Sequence, residues 1–126
     1  MITRYSRQRE ALMQILQNTD THPTADRLYD ELRKVFPNVS LATVYRNLKQ
    51  LTEQNLILAI DAGTGSEHYD GDISLHYHFA CKSCGNVYDI QTSPFTGLND
   101  EISNKTGFDV DTHSLIFFGK CKNCKN

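Results

Sequence analysis

His76-Tyr77-His78-Phe79-Ala80-Cys81-Lys82-Ser83-Cys84-Gly85-Asn86-Val87-Tyr88-Asp89 is the stretch from which the rest of the chain can be read. Successive side chains of a strand leave on opposite faces, so His76 and His78 project together on one side. Cys81 and Cys84, followed by Gly85, have the spacing of a tight thiol turn. The remaining two cysteines, Cys121 and Cys124, repeat that spacing near the C-terminus. Two such turns brought together offer the four soft donors that tetrahedral Zn²⁺ takes in structural sites. The competing readings are a disulfide pair or a redox-active dithiol. A cytosolic setting disfavours disulfides, and a redox thiol has no need of a second matched pair, so a structural zinc on Cys81, Cys84, Cys121 and Cys124 is expected.

The histidine pair is read differently. Its spacing alone fits two surface histidines as well as half of a metal site. Asp70 and Asp89, which lie near the ends of the same strands, favour the metal reading. A set of imidazoles and carboxylates without a thiolate suits Fe²⁺ or Mn²⁺ better than a structural zinc.

A chain of 126 residues buries one ordinary core, or two small ones that each need a staple such as a bound metal. No apolar run is long enough to span a bilayer, and the polar start Met1-Ile2-Thr3-Arg4-Tyr5-Ser6 is no secretory signal, so a cytoplasmic protein without a membrane partner is expected. The net charge of −2 argues against a general nucleic-acid binder. That average hides an asymmetry. Residues 1–54 carry eight Lys/Arg against six Asp/Glu, whereas residues 55–126 carry five against nine. Contact with phosphates, if made, belongs to the first half.

Working outward, Ser6 is expected to cap a helix to about Gln17 with Ala11, Leu12, Ile15 and Leu16 on one stripe. Thr24 caps a second helix to about Phe36, with Leu28, Leu32, Val35 and Phe36 inward, and His22 sits on the loop before it. Ser40 caps a third, whose Leu41, Val44, Leu48 and Leu51 form a buried seam. The opposite face of that helix presents Ala42, Thr43, Arg46, Lys49 and Gln50, with Tyr45 on the border, a set suited to the major groove of double-stranded DNA. Leu56 to Ile60 and Glu67 to Tyr69 read as a hairpin turned by Gly63-Thr64-Gly65. Three helices and a hairpin make a winged helix-turn-helix. Beyond it come strands at about 76–81 and 86–91, a helix from about Pro94 to Lys105, and a long strand from Phe108 to Gly119 whose apolar surplus implies a subunit interface. The expected fold is α+β: a winged-helix domain over 1–69, a hinge at 70–74 and an α/β dimerisation and metal-binding domain over 75–126.

At His22-Pro23-Thr24-Ala25-Asp26, at Ser40-Leu41-Ala42-Thr43-Val44-Tyr45-Arg46-Asn47-Leu48, at His76-Tyr77-His78 and at the paired Cys-x-x-Cys turns, the chain resembles the ferric-uptake-regulator family. Within it, the peroxide-sensing repressors look most similar. The resemblance runs from about Ser6 to Cys124 and implies a homodimeric, metal-dependent repressor that binds a palindromic operator. By position, it implies His22, Asp70, His76, His78 and Asp89 as regulatory ligands for Fe²⁺ or Mn²⁺, with the four cysteines holding zinc. It further implies His22 and His76 as the histidines oxidised by peroxide, and the aspartate at position 89 tilts the reading toward peroxide sensing. The sequence departs from the pattern in lacking the extra leading helix of many relatives, in Arg7 where proline is frequent, and in Tyr77. Tyr77 replaces an acidic residue of a further metal site, which is therefore not assigned; His68 and His113 receive no role.

One ion shared by His22, Asp70 and the three later ligands would set the angle between the two domains. In a dimer reading half-sites ~34 Å apart, that angle controls DNA affinity. The alternatives are an iron- or zinc-uptake regulator that responds to metal level alone, and a zinc-ribbon or thiol protein that never touches DNA.

Overall fold

The computed structural model describes residues 4–63 and 65–125, with side chains from Ser6 onward; Thr64, at the tip of the expected turn, lies outside the described residues. The order is α1 (Arg4–Gln17), α2 (Ala25–Arg33), α3 (Leu41–Glu53), β1 (Leu58–Asp61), β2 (Glu67–Asp70), β3 (Tyr77–Cys81), β4 (Val87–Ile90), α4 (Leu98–Thr106) and β5 (Ile116–Gly119). This is the expected α+β arrangement of three helices, a hairpin and a smaller sheet-and-helix unit.

The helical end is built by periodicity. Leu12 and Leu16 of α1, Leu28 and Leu32 of α2, and Val44, Leu48 and Leu51 of α3 are all at most 2 % exposed and form one cluster with Ile57 and Tyr69 of the hairpin region. Each such side chain contributes roughly 1.5–3 kcal/mol through burial. Thr24 caps α2 by accepting from the Arg27 N–H, and Ser40 caps α3 by accepting from the Thr43 N–H. α3 ends where Asn55 takes a left-handed φ of 59°, letting the Leu56 N–H reach back to the Leu51 carbonyl.

Several expectations are corrected. Ser6 is no cap, because α1 already runs from Arg4. α2 stops at Arg33: Pro37 disfavours helical backbone at Phe36, and a closing turn sends the Phe36 N–H to the Leu32 carbonyl, which leaves Val35 68 % exposed. Leu41 opens α3 at the rim of the seam and is 37 % exposed. α4 begins at Leu98, because the Phe95 N–H is donated to the Tyr77 hydroxyl and Gly97 has a φ of 82°. The long final strand shrinks to Ile116–Gly119; before it, the Val110 N–H bonds the Ser103 hydroxyl and the Asp111 carbonyl accepts from the Asn99 amide, so that segment is tied to α4 and not to the sheet.

β1 and β2 pair antiparallel with Ile60 opposite His68 and Leu58 opposite Asp70. The second sheet has the order β4-β3-β5, with β3 antiparallel to β4 and parallel to β5. A second cluster joins the sheets: Ile60 and Ala62 of the hairpin region pack with Ala80 and Val87. The segment expected as a hinge is closely packed on one side, since a Cβ on Gly71 would lie 2.8 Å from the backbone C and O of Leu16. Gly71 therefore lets the chain leave β2 against the end of α1. Substituting Gly71→Ala is expected to push these backbones apart and to cost ~1–3 kcal/mol, as overpacking does. A urea titration that finds the variant as stable as the parent would contradict this packing argument.

Candidate metal centres and the exposed face of the third helix

The pairing registers deliver the ligands. His78 sits opposite Asp89 across β3 and β4, and His76 lies two residues earlier, immediately before β3. Asp70 ends β2, and His22 comes from the loop between α1 and α2. One ligand atom from each of these five residues lies within 4.8 Å of all the others. The Nε2 atoms of His22, His76 and His78 stand 3.1, 2.9 and 3.0 Å from Asp70 Oδ2. The same nitrogens are 2.9, 3.1 and 3.5 Å from Asp89 Oδ1. His22, Asp70 and His78 are buried, whereas the Asp89 side chain is 30 % exposed and forms the open side.

Backbone carbonyls fix the ring tautomers. His22 Nδ1 is 3.1 Å from the Val87 carbonyl and His76 Nδ1 is 2.7 Å from the Ser74 carbonyl. A carbonyl only accepts, so each Nδ1 carries the proton and each neutral ring turns a lone pair at Nε2 toward the carboxylates. Lone pairs facing carboxylate oxygens at about 3 Å repel unless something positive lies between them, and only a proton on each Nε2 or a metal cation satisfies that demand. The charge balance reflects it. Burial opposes the charged form of His22, but hydrogen bonds and charge from Asp70 and Asp89 overcome it and raise its pKa. Burial likewise opposes the charged form of His76, against the Ser74 carbonyl, Asp70 and Asp89, which together raise it. Asp70 is penalised by burial, yet hydrogen bonds from His22, His78, the Asp72 N–H and His76 hold its carboxyl far below the usual range. This three-nitrogen, two-oxygen set fits a hard-to-intermediate divalent cation such as Fe²⁺ or Mn²⁺.

The thiol cluster follows from the parallel pairing of β3 and β5. Cys81 is opposite Gly119, which carries Cys121, two residues on, over Cys81. All four sulfurs lie within 4.8 Å of one another, and Cys84 Sγ is 4.0 Å from Cys121 Sγ. Tetrahedral Zn–S bonds of about 2.3 Å place sulfurs about 3.8 Å apart, so the cluster has zinc-site dimensions, and all four cysteines are free thiols. The N–H groups of Cys84 and Cys121 point at Cys81 Sγ, 3.4 Å away in each case, and pull that thiol down to about 6. Hydrogen bonds with Cys121 and Cys81 push Cys124 up to about 12.

On α3, Ala42, Tyr45, Arg46, Lys49 and Gln50 are exposed and Thr43 is partly so. Tyr45 is 50 % exposed, and Arg46 Nη2 donates to Thr43 Oγ1 at 3.4 Å, which places a guanidinium beside a hydroxyl on the outward face.

Two features escape the sequence reading. His68 is buried and its Nδ1 lies 2.7 Å from the His22 carbonyl; its position two residues before Asp70 on one strand is the signal that marks it. Tyr77, 1 % exposed between two candidate ligands, donates its hydroxyl to His113 Nε2 at 2.6 Å, while His113 Nδ1 donates to Asn99 Oδ1 at 2.7 Å. That chain anchors β3 to α4, and no spacing rule announces it.

The sequence profile described as the ferric uptake regulator family matches residues 1–118. The peroxide-responsive repressor PerR of Staphylococcus aureus (strain USA300) is 34 % identical over 123 residues, covering 98 % of this chain and 83 % of that protein. Among solved structures, the Campylobacter jejuni peroxide stress regulator is 32 % identical with a TM-score of 0.82, over 95 % of this chain and 90 % of that one. The Helicobacter pylori ferric uptake regulator shares the fold at 24 % identity and a TM-score of 0.84, over 96 % and 81 % of the two chains.

The raised values of His22 and His76 set a direction for stability. Charged rings stabilise the metal-free fold fully below the ordinary histidine value of 6.5, and that contribution is lost as pH rises through the folded values. Asp70, lowered from 3.8, contributes throughout that window and loses its share only in strong acid. Thermal unfolding in chelator is therefore expected to move to lower temperature from about pH 6 to about pH 8, with added Mn²⁺ reversing the loss and releasing protons. A chelated protein whose melting temperature climbs over the same interval would contradict the charge balance.

Proposed function

Because this chain belongs to the ferric uptake regulator family, a family of metal-responsive transcriptional regulators and not of enzymes, we propose that it is a homodimeric, DNA-binding repressor that senses hydrogen peroxide through iron-dependent oxidation of its own histidine ligands. The observation that carries this reading is the meeting of five donors without a thiolate, within 4.8 Å, from segments on both sides of residues 71–74. A 34 % identical peroxide-responsive repressor and a 32 % identical peroxide stress regulator support the choice of signal.

His22, Asp70, His76, His78 and Asp89 hold the regulatory ion, and Cys81, Cys84, Cys121 and Cys124 hold zinc. Fe²⁺, when bound, would supply the electron that breaks the O–O bond of hydrogen peroxide, so that one of its oxygens could add to a neighbouring ring and the other leave as water, chemistry for which Mn²⁺ is poorly suited. The chain does the rest. His22 and His76 face the centre through Nε2 with Nδ1 anchored on carbonyls, so an oxygen added to either ring spoils a donor that cannot rotate away and be replaced. Withdrawal of the His22 ring also gives up its bond to the Val87 carbonyl, by which the ring ties the α1–α2 loop to β4. The angle between the two parts of the chain is then set by fewer contacts, chiefly Ile60 and Ala62 against Ala80 and Val87. Metal favours repression because it binds the closed arrangement better than the open one.

Ala42, Thr43, Tyr45, Arg46 and Lys49 form the reading face in the major groove, positioned by α2 and flanked by the β1–β2 wing. The partner for self-association is a second copy of the chain. Phe108, Phe117 and Phe118 are 71, 43 and 50 % exposed, and β5 ends its sheet in the order β4-β3-β5, leaving an apolar edge to be covered.

Two experiments test this. Operator duplexes recovered by selection from random DNA are expected to bind the Fe²⁺ and Mn²⁺ forms; peroxide then releases the Fe²⁺ form alone, with one added oxygen atom on the peptide containing His22 or His76. Release without that mass change overturns the sensing step, and operator binding that follows metal level yet ignores peroxide identifies a metal-uptake regulator instead. Replacing Arg46→Ala is expected to cost about 1–3 kcal/mol of operator affinity and to relax base preference; unchanged affinity and preference would remove α3 as the reader.

A further inference from the structure

His68 lies outside the five candidate ligands, yet it is buried beside them. It stands two residues before Asp70 on β2, so both side chains leave the same face of the strand. Its Nδ1 is 2.7 Å from the carbonyl oxygen of His22, and since that oxygen only accepts, the ring donates. The recipient is unusual. His22 has a φ of 53°, and with Asn55 it is one of two non-glycine residues in the left-handed region among those described. Asn55 closes a helix in the ordinary way, whereas His22 sits in a loop, where such backbone costs a non-glycine residue about 1–3 kcal/mol and persists only when the surroundings hold it.

Two ties to β2 hold it. His68 takes the His22 carbonyl, and the Tyr69 N–H donates to the Pro23 carbonyl at 2.9 Å, the bond that pairs Thr24 with His68 through the backbone. Only the first is a side-chain bond, and it alone grips the ligand residue itself. The ring of His22 is meanwhile held from the other side by the Val87 carbonyl of β4. Its Nε2 can meet Asp70 and Asp89 only while the backbone stays in this conformation.

We infer that His68 is a positioning residue of the regulatory centre: by gripping the His22 carbonyl it keeps the left-handed backbone that delivers His22 Nε2 to the metal, and it makes the β1–β2 hairpin follow that ligand. The inference rests on the metal-site reading given above. It means that loss of the His22 donor is felt directly by the wing, through a single bond between the ligand's own carbonyl and a side chain of β2.

The test uses the full-length, zinc-replete protein with Mn²⁺ for affinity and Co²⁺ for the visible spectrum of the regulatory site. His68→Ala is expected to weaken Mn²⁺ binding on the order of ten- to a hundredfold, as loss of a ligand-orienting partner does, and to shift the Co²⁺ ligand-field bands, with zinc content retained. His68→Asn, whose amide can place an N–H near the original Nδ1, is expected to restore most of the affinity and the parent spectrum. Parent-like affinity in His68→Ala, or a His68→Asn variant as weak as His68→Ala, would overturn the role of the bond. His78→Ala, which removes a proposed ligand, runs alongside. If it binds Mn²⁺ as the parent does, the centre itself has been misread and the inference falls with it; if it loses Mn²⁺ while His68→Ala does not, only the role of His68 is lost.

Discussion

Three imidazole nitrogens and two carboxylate oxygens held about 3 Å apart in a mostly buried space form an arrangement that is incomplete without positive charge. Bare lone pairs against carboxylates repel, and two of the three rings cannot escape by rotating, because the carbonyls of Val87 and Ser74 hold their other nitrogens. The fold thus prepares a demand that protons meet in one way and a divalent cation in another. The two differ in what they hold together. Protons are bound ring by ring, whereas one ion would take donors from the α1–α2 loop, from the end of β2 and from the β3–β4 pair at once. On the proposed reading the centre is a joint whose strength depends on its occupant.

The thiol cluster is governed by the same electrostatics with the opposite consequence. Its four sulfurs come from the end of β3, the turn after it, and the segment just after β5, all within one small sheet. A cation there would close the sheet onto itself. On the proposed reading, soft donors confined to one unit make a staple, and harder donors shared between units make a switch.

Transmission from the switch needs a continuous path. Gly71 lies against the backbone of Leu16, Ile60 and Ala62 pack into the cluster with Ala80 and Val87, and His68 grips the His22 carbonyl. The hairpin is thereby the shared part: it belongs to the winged-helix unit by chain order, contributes apolar side chains to the second core, and carries both Asp70 and the residue that holds His22. On the proposed reading, a shift at the five-donor centre would move the hairpin as well.

Much of this was legible in one dimension. Helical periodicity located Leu12, Leu16, Leu28, Leu32, Val44, Leu48 and Leu51 because burial of one helix face repeats every three or four residues, and Thr24 and Ser40 marked helix starts because capping is a local bond. The pattern of cysteines, His76 and His78 was visible because those donors lie close in sequence. His22 and Asp89 were a different matter. They lie 67 residues apart and meet at 2.9 Å only because β4 pairs with β3 while the α1–α2 loop is held on β2. No spacing encodes such a meeting; only the resemblance to a family pointed to His22. The last strand is shorter than its apolar content suggests, since the residues from Phe108 onward resemble a strand whether they pair with β3 or, as here, stay tied to α4. By itself, then, the sequence determined the helices, the turns and the chemical kinds of donor, all of which follow from interactions a few residues long. Which donors stand close enough to share an ion, which carbonyl fixes which ring, and that His68 bonds the His22 carbonyl were decided by the tertiary structure, because those contacts depend on strand register and on the direction in which distant backbones approach.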